Sequence, residues 1–397
     1  MMKKDSLESI KYSVLFSSLF VCLNQYHFWF NCLVLPFIVF GIRIKYINDI
    51  SVKNQFRLYS LLIVLVLITG LLGIGYIYPL KRLLEMLSCI IYCYVIYVNV
   101  SVTNNFVSLF KGLLIASLVL SVFLLYSYGD ISTISLNFKE IEYGPGKNDS
   151  ALHLFIGLFA SFMLSKLTKK HLSRYFLIGS FFFVMIILTQ SMKAILASFL
   201  FESILISSVI RNYKTISIFF ISAILCCLYW VKDAIFDFLN TGFMRVVMSR
   251  ILTLIGLEEY ASIPNMHVTE GRENLIDQAL DIFTSSPIWG VGLENTRLIM
   301  GTYSHNTYVE LASGVGLGGP LLFIGLIFLC LFHLFSFHKS TCRNYFIFFI
   351  VILALFFANS LKIYSVQACI IFFVLSPFFL KLYCKKNMNY NIKTEYS

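Results

Sequence analysis

The sequence predicts an all-α, polytopic membrane protein: a bundle of about twelve transmembrane helices with one large outer loop that carries amphipathic helices. Three observations predict it. Of the 397 residues 58% are apolar and only 13% are charged, against roughly 45–50% and about 25% in a soluble domain. Forty Phe, 23 Tyr and a mean hydropathy of +0.82 exceed what a water-soluble core of this size can hide. The apolar residues fall into runs of membrane-crossing length separated by short polar breaks. Soluble-enzyme architectures are thereby excluded.

A helix needs about 20 residues to cross the hydrocarbon, so twelve crossings use roughly 240 residues. The rest suffices for one sizeable loop, one small one and short tails. The runs are Lys11 to Leu23, Phe28 to Ile42, Leu58 to Tyr78, Leu83 to Val100, Val107 to Ser127, Ala151 to Ser165, Tyr175 to Thr189, Ala194 to Ile210, Ile216 to Val231, Gly316 to Phe335, Tyr345 to Leu361 and Ser365 to Leu380. The first two share so little chain, around a turn at Asn24 to His27, that tilted or partial spans, and a count of eleven, also fit. The division is therefore 1–231 for the first nine helices, 232–305 for the large loop, 306–384 for the last three helices and 385–397 for a tail.

Short cytoplasmic loops collect Lys and Arg. With the N-terminus inside, most of the 31 basic residues fall on inner segments, among them Arg43, Lys45, Lys53, Arg57, Lys111 and Lys166. Lys81, Arg82, Lys147, Lys193, Arg245, Arg272 and Arg297 fall outside. Both termini are expected to be cytoplasmic. This distribution accounts for the net charge of +11 without a nucleic-acid partner. The first run follows Lys3 and Lys4 with no small-x-small cleavage site after it, so it reads as a retained anchor. The ten cysteines lie in spans or on the inner side, and no disulfide is expected in the outer loops. Cys89 and Cys93, at helical spacing but with no His or carboxylate beside them, read as packing residues.

Two stretches break the pattern. Tyr128 to Ser150, with Asp130, Glu140, Glu142 and the Gly144-Pro145-Gly146 turn, reads as an acidic loop. The longer one, Lys232 to His305, is where chemistry is expected, because such a loop in a tightly connected bundle is usually functional. Within it Leu275, Ile276, Ala279, Leu280 and Phe283 share one face and Asn274, Asp277, Gln278 and Asp281 the other, which predicts an amphipathic helix over 272–283 ended by Ser285-Ser286-Pro287. Gly271 precedes it, so Arg272 would sit in the first turn, where the helix dipole disfavours a cation; an anionic partner is implied. Beyond the Gly290-Val-Gly292 turn come Ser304-His305-Asn306-Thr307-Tyr308-Val309-Glu310 and then Gly314-Val-Gly316-Leu-Gly318-Gly319. The i, i+3, i+7 spacing puts His305, Tyr308 and Ala312 on one helical face. The glycines permit close packing.

These residues resemble a known family. Gly271-Arg272, then Pro287-Ile-Trp-Gly290-Val-Gly292, then His305-Asn306-Thr-Tyr308-Val309, then Gly316 and Gly319, are similar in order and setting to the O-antigen polymerase and O-antigen ligase superfamily of bacterial envelope glycosyltransferases. The likeness covers roughly Thr189 to Phe323. It implies transfer of a glycan from an undecaprenyl-diphosphate carrier to an acceptor sugar hydroxyl, at the periplasmic face of the bacterial inner membrane, with no cofactor or metal. The partners implied are the lipid-linked donor and acceptor, membrane lipid and a chain-length regulator protein. Family site residues fall on Lys193, Arg272 and His305. Two departures stand out: Lys193 replaces an arginine, so a planar fork becomes a point charge that Arg245 is placed to supplement, and Gly314 stands where many relatives carry a glutamate, with Glu310 the nearest carboxylate.

The residues support the same chemistry independently. Negative charge grows on the diphosphate as the sugar leaves, and a metal-free site must meet it with cations: Arg272, Arg245 and Lys193. No Asp-x-Asp motif or His/Cys cluster suggests a divalent ion. His305 suits the role of general base toward the acceptor hydroxyl. Glu310 could act instead, or orient His305, with Asn306 and Tyr308 in support. Plainer roles compete: His305 as a capping residue, Arg272 as an ion-pair partner of Glu273 or Asp277, Arg245 and Arg250 as interfacial anchors, Lys193 as a snorkelling lysine, His153 as a packing or interfacial residue. Glu202, inside a span, is costly there and either functional or paired. On these roles Arg272→Lys is expected to impair activity more than Arg297→Lys. The competing functions are a ligase moving polymer onto lipid A-core and, from another class, a transporter or flippase of lipid-linked sugars. Against transport, the halves show no internal repeat and the polar residues lie in an outer loop rather than at mid-membrane.

Overall fold

Hydrocarbon offers backbone N–H and C=O groups no partner, so a spanning segment must satisfy them within itself. Every regular element among the described residues is accordingly helical. The computed structural model describes residues 2–21, 29–48, 50–103, 106–128, 147–168, 172–189, 191, 193–202, 266–335 and 341–357.

The elements in chain order are α1 (Met2–Phe20), a π-helical turn (Phe30–Val34) running into α2 (Leu35–Phe40), α3 (Ile50–Leu72), α4 (Ile77–Thr103), α5 (Phe106–Tyr128), α6 (Lys147–Thr168), α7 (Leu172–Leu188), α8 (193–202), α9 (Met266–Ser285), α10 (Thr296–Met300), α11 (Thr307–Val315), α12 (Gly318–Phe335) and α13 (Thr341–Phe357). Among the described residues five helices are long and apolar enough to cross a membrane: Val52–Leu72, Ile77–Thr103, Val107–Ser127, Asn148–Thr168 and Gly318–Phe335. Phe30–Phe40, Leu177–Leu188 and Phe346–Phe357 are shorter apolar helices. The expected ninth and twelfth spans, the Asn24 to His27 turn, most of the acidic loop, the first half of the large loop and the tail lie outside the described residues.

Two expected boundaries move. The first helix begins at Met2 rather than Lys11. The run Leu58 to Tyr78 is not one helix: α3 starts at Ile50 and stops at Leu72, and α4 begins at Ile77. Gly70 is what allows so tight a hairpin, since a Cβ there would lie 2.6 Å from Pro79 Cβ. Pro79 sits in the first turn of α4, where no intrahelical partner for its missing N–H is lost.

The core is aromatic. Phe159 of α6 stacks on Phe349 of α13 at 4.1 Å between ring centroids and meets Phe201 of α8 edge-on at 5.8 Å. Phe155 also stacks on Phe349, at 5.3 Å. Such pairs add to what their burial contributes. Cys89 and Cys93 are fully buried in the same core, and His153 is buried with its ring parallel to Phe20 at 4.2 Å, so all three take the packing positions expected of them. Close helix approaches need small residues: Gly112 of α5 meets Tyr12 of α1, and Gly157 of α6 meets Ser117 of α5.

The contacts also order the helices by direction. Gly318 meets Leu65 while Gly325 faces Leu58, so α12 runs antiparallel to α3. Phe155 meets Phe356 while Phe159 meets Phe346, so α13 runs antiparallel to α6. One end of the bundle therefore gathers the α3–α4 hairpin, the starts of α6, α8 and α12 and the end of α13. The other gathers Glu8, Asn99 and the segment 41–48, tied by Asn99 Nδ2 donating to Tyr12 Oη at 2.7 Å and Arg43 donating to Asn99 Oδ1 at 3.3 Å.

Candidate functional site

At the first of these ends the segment 286–319 is laid over the α3–α4 hairpin, and its sequence explains how. Two consecutive ladder-like bonds join it to the end of α11: Val291 N–H donates to Ser313 O at 3.0 Å and Gly292 N–H to Gly314 O at 2.7 Å. Leu317 N–H donates to Pro287 O at 2.8 Å. Gly290 and Gly316 have φ of +67° and +73°, and a Cβ on Gly290 would overlap the Gly314 carbonyl group, one on Gly316 the Ile288 carbonyl. The hairpin is held from the other side: Asn295 Nδ2 donates to Gly75 O at 2.6 Å and to Val291 O at 2.7 Å, and Ile74 N–H to Val291 O at 3.3 Å. The glycine-rich spacing is thus the trace of backbone packed directly on backbone.

His305 lies where this scaffold turns into α11. Asn306 is the N-cap, its side chain accepting from the N–H groups of Tyr308 and Val309, as an Asn at this position does. His305 therefore precedes the helix, with φ +59°, and does not share a helical face with Tyr308 and Ala312 as the spacing suggested. A left-handed backbone is uncommon outside glycine, and His, Asn and Asp are the side chains that adopt it most often. What holds it there is Glu310. This carboxylate is buried, with Oε1 accepting from Thr296 Oγ1 at 2.5 Å and Oε2 from Ser304 N at 3.3 Å and Ser304 Oγ at 3.2 Å. Ser304 Oγ also contacts Asn306 O at 3.1 Å. Burial pushes the Glu310 carboxyl above its ordinary value, and the bonds from Thr296 and Ser304 oppose the rise. With both oxygens engaged inward, Glu310 is a positioning group for the turn that presents His305.

The half-buried His305 ring lies against Tyr303, centroids 4.0 Å apart, and the Arg297 guanidinium stands 4.9 Å from the same Tyr303 ring. Arg297 also pairs with Glu294 Oε1 at 3.5 Å. The other Glu294 oxygen takes Arg82 of α4, Nε at 2.7 Å, and Arg82 reaches Glu85 at 2.5 Å. Glu294 is, among the described residues, the other non-glycine residue with a left-handed backbone, φ +61°. This chain from Glu85 through Arg82, Glu294, Arg297 and Tyr303 to His305 escaped the sequence reading. Its signals were Arg82 and Glu85 three residues apart at a span end, where ionisable groups are expected to pair. Arg297 consequently no longer serves as a neutral reference for Arg272.

Tyr308 donates its hydroxyl to Ala354 O of α13 at 2.9 Å and lies on Phe323 of α12, joining α11 to both helices. Arg272 falls within α9, which begins at Met266, so it occupies the second turn rather than the first; the dipole argument for its anionic partner does not hold. The helix does end at Ser285 as the sequence predicts. Lys193, half-buried, opens α8 beside Ser191, whose hydroxyl donates to Asn148 at 2.9 Å. It belongs to the same end of the bundle as Tyr308, because α13 runs antiparallel to α6. Arg245 lies outside the described residues. Gly314 has its Cβ direction 2.9 Å from Leu293 Cα, which leaves no room for a glutamate in this arrangement. The structure thus unites His305, Asn306, Tyr308 and Glu310 in one turn-and-helix unit.

No family model matches the chain, and no curated protein matches it.

Proposed function

We propose that the chain is a multi-pass glycosyltransferase of the bacterial inner membrane, an O-antigen (surface polysaccharide) polymerase that joins undecaprenyl-diphosphate-linked repeat units at the periplasmic face. In this reading twelve helices cross the membrane, both termini are cytoplasmic, and 232–305 is periplasmic. The observation that carries it is the backbone at His305. An imidazole is held in a left-handed conformation, at a helix start, by a buried carboxylate and an Asn cap, and strain of this kind collects where a side chain is presented for chemistry. The second such residue, Glu294, is linked to it through Arg297 and Tyr303.

The reaction follows from those roles. His305 accepts the proton of the acceptor sugar hydroxyl, and the hydroxyl oxygen bonds to the anomeric carbon of the donor. The bond from that carbon to the diphosphate oxygen breaks, and the electron pair leaves with the lipid diphosphate. Arg272, Arg245 and Lys193 are the cations assigned to this developing charge. Glu310 and Asn306 hold His305 in place, and Tyr308 anchors the unit to α12 and α13.

The test is a gel of surface lipopolysaccharide from a deletion strain carrying wild type or His305→Asn. Asn tolerates the left-handed backbone, so the variant removes the imidazole and spares the turn. Loss of the long ladder with core plus one repeat retained is the expected result. Bare core with polymer accumulating on the lipid carrier would make the protein a ligase. An unchanged ladder, with the variant present in the membrane, would remove His305 from the mechanism and favour transport of lipid-linked sugars.

A further inference from the structure

The end of the bundle opposite His305 holds a groove of about 710 Å3 whose lining combines Lys45, Lys53 and Arg57 with the side chains of Tyr46, Leu61 and Val64. Its geometry is built from three elements. Lys53 and Arg57 occupy the first two turns of α3. The segment 41–48, released from α2 by Gly41 at φ +73°, crosses over them as an irregular strap. Tyr94 of α4 fixes that strap by accepting from Lys45 N–H at 3.1 Å and donating to Lys45 O at 2.9 Å. Lys53 Nζ donates to Tyr46 Oη at 2.7 Å and lies 5.0 Å from that ring's centroid; Lys45 Nζ reaches Ser101 O at 3.4 Å. Among the described residues none of the three cations forms an ion pair with a carboxylate.

Position adds a second argument. Lys53 is 20 residues from the Gly73 hairpin along one helix, and at 1.5 Å per residue that is about 30 Å, the thickness of the hydrocarbon layer. The groove therefore lies at headgroup level when the hairpin lies at the other surface. Its apolar wall does not end at the cations. Leu61 (53% exposed), Val64, Ile68 and Leu71 (73%) form a stripe at i, i+3, i+7 spacing along the outward face of α3. A basic mouth continuous with a lipid-facing apolar track matches an amphiphile with a negatively charged head and hydrocarbon tails.

We propose that this groove is a binding site for one anionic phospholipid of the bilayer, its phosphate held by Lys45, Lys53 and Arg57 and its acyl chains lying along the Leu61–Leu71 face of α3. Lys53 and Arg57 are anchored on a helix and Lys45 on a strap bound to α4, and all three line the one groove. Basic pockets between transmembrane helices bind anionic headgroups. The site is independent of the His305 reading and stands whether or not the chain is a glycosyltransferase.

The experiment uses the full-length protein in detergent, delipidated and then titrated with phosphatidylglycerol, with phosphatidylcholine or with inorganic phosphate, reading bound lipid by native mass spectrometry and thermal midpoint. Phosphatidylglycerol is expected to bind at least about tenfold more tightly than phosphatidylcholine and to raise the midpoint, since cations at the membrane surface favour an anionic headgroup. Lys53→Gln/Arg57→Gln is expected to lose about tenfold or more of that preference, while Lys111→Gln/Lys166→Gln, with the same change in charge, keeps it. Equal binding of the two lipids, or an equal loss in both double variants, would overturn the proposal. So would inorganic phosphate alone reproducing the shift, which would mean a free-anion site. Should the double variant not fold, photoactivatable phosphatidylglycerol on the wild type decides: crosslinks within 41–64 support the site, and crosslinks confined elsewhere refute it.

Discussion

His305 and Glu310 show how much a single turn can depend on one buried group. Glu310 is 8% exposed, and burial favours its neutral acid, so it binds its proton more tightly in the folded chain than in the unfolded one. Its contribution to stability is complete below the ordinary value of 4.5 and is lost as pH climbs through the raised one. Glu310→Gln removes that titration while keeping an acceptor for one of the two sides, Thr296 or Ser304. The wild-type thermal midpoint in detergent, compared with that of Glu310→Gln, is expected to decline as pH rises above 4.5; a difference that stays level as pH rises would mean that Glu310 does not titrate as its burial demands. Asn306, by contrast, acts through neutral hydrogen bonds, so Asn306→Ala should cost about 1 kcal/mol at every pH.

Among the elements, the union of the 287–292 turn with α11 is the one most exposed to substitution. Gly301 is left-handed (φ 75°, ψ −14°), whereas Gly316 (φ 73°, ψ −171°) lies in a region essentially reserved for glycine; a Cβ on Gly316 also meets the Ile288 carbonyl, and one on Gly301 meets nothing within 4 Å. Gly301→Ala is thus expected to cost about 1–2 kcal/mol, the price of a left-handed alanine. Gly316→Ala should add a further ~1–3 kcal/mol from its backbone conformation and the forced displacement of backbone together and should also abolish activity by unseating α11. Equal midpoints for the two variants would show that the turn yields freely. The tie between α4 and the same segment is ionic. Arg82 and Glu294 have side chains only 9% and 3% exposed, and removing one partner of a buried pair typically costs about 3–5 kcal/mol. Arg82→Gln should therefore lower the midpoint far more than Lys111→Gln; a shift no larger than that of the control would mean the pair is open to water.

For the whole molecule, the ordering of helix directions separates two polar ends, with His305, Glu294 and Arg82 at one and Arg43, Lys45, Lys53 and Arg57 at the other. The proposed orientation places the first end outside the cytoplasmic membrane. In a cysteine-free background, Thr302→Cys is expected to react with a membrane-impermeant maleimide in spheroplasts, and Ile44→Cys, whose native side chain is 89% exposed, only after lysis. The reverse pattern would invert the topology and with it the site's access to a periplasmic donor.

The membrane class, the helical character and the approximate position of most described spans were legible in the sequence, because they depend on length and apolar composition, which are sums over neighbouring residues. Local chemistry was legible too: Ser285-Ser286-Pro287 ends α9, and Gly290 and Gly292 turn the chain. The misplacements have a common cause. Gly73 and Gly75 sit in an apolar run that reads as one helix, and only their contact with Val291 and Asn295 explains the break. His305 fits a helical spacing, and the Asn306 cap together with the bonds of Glu310 to Thr296 and Ser304 keeps it out of the helix. Arg82, Glu294 and Arg297 were visible as charges, but ion pairing across 212 positions in the chain leaves no periodic trace. The sequence by itself determined what solvent the chain inhabits and where its helices run; the tertiary structure alone decided which polar groups meet, because those contacts join residues whose separation along the chain carries no information about their distance in space.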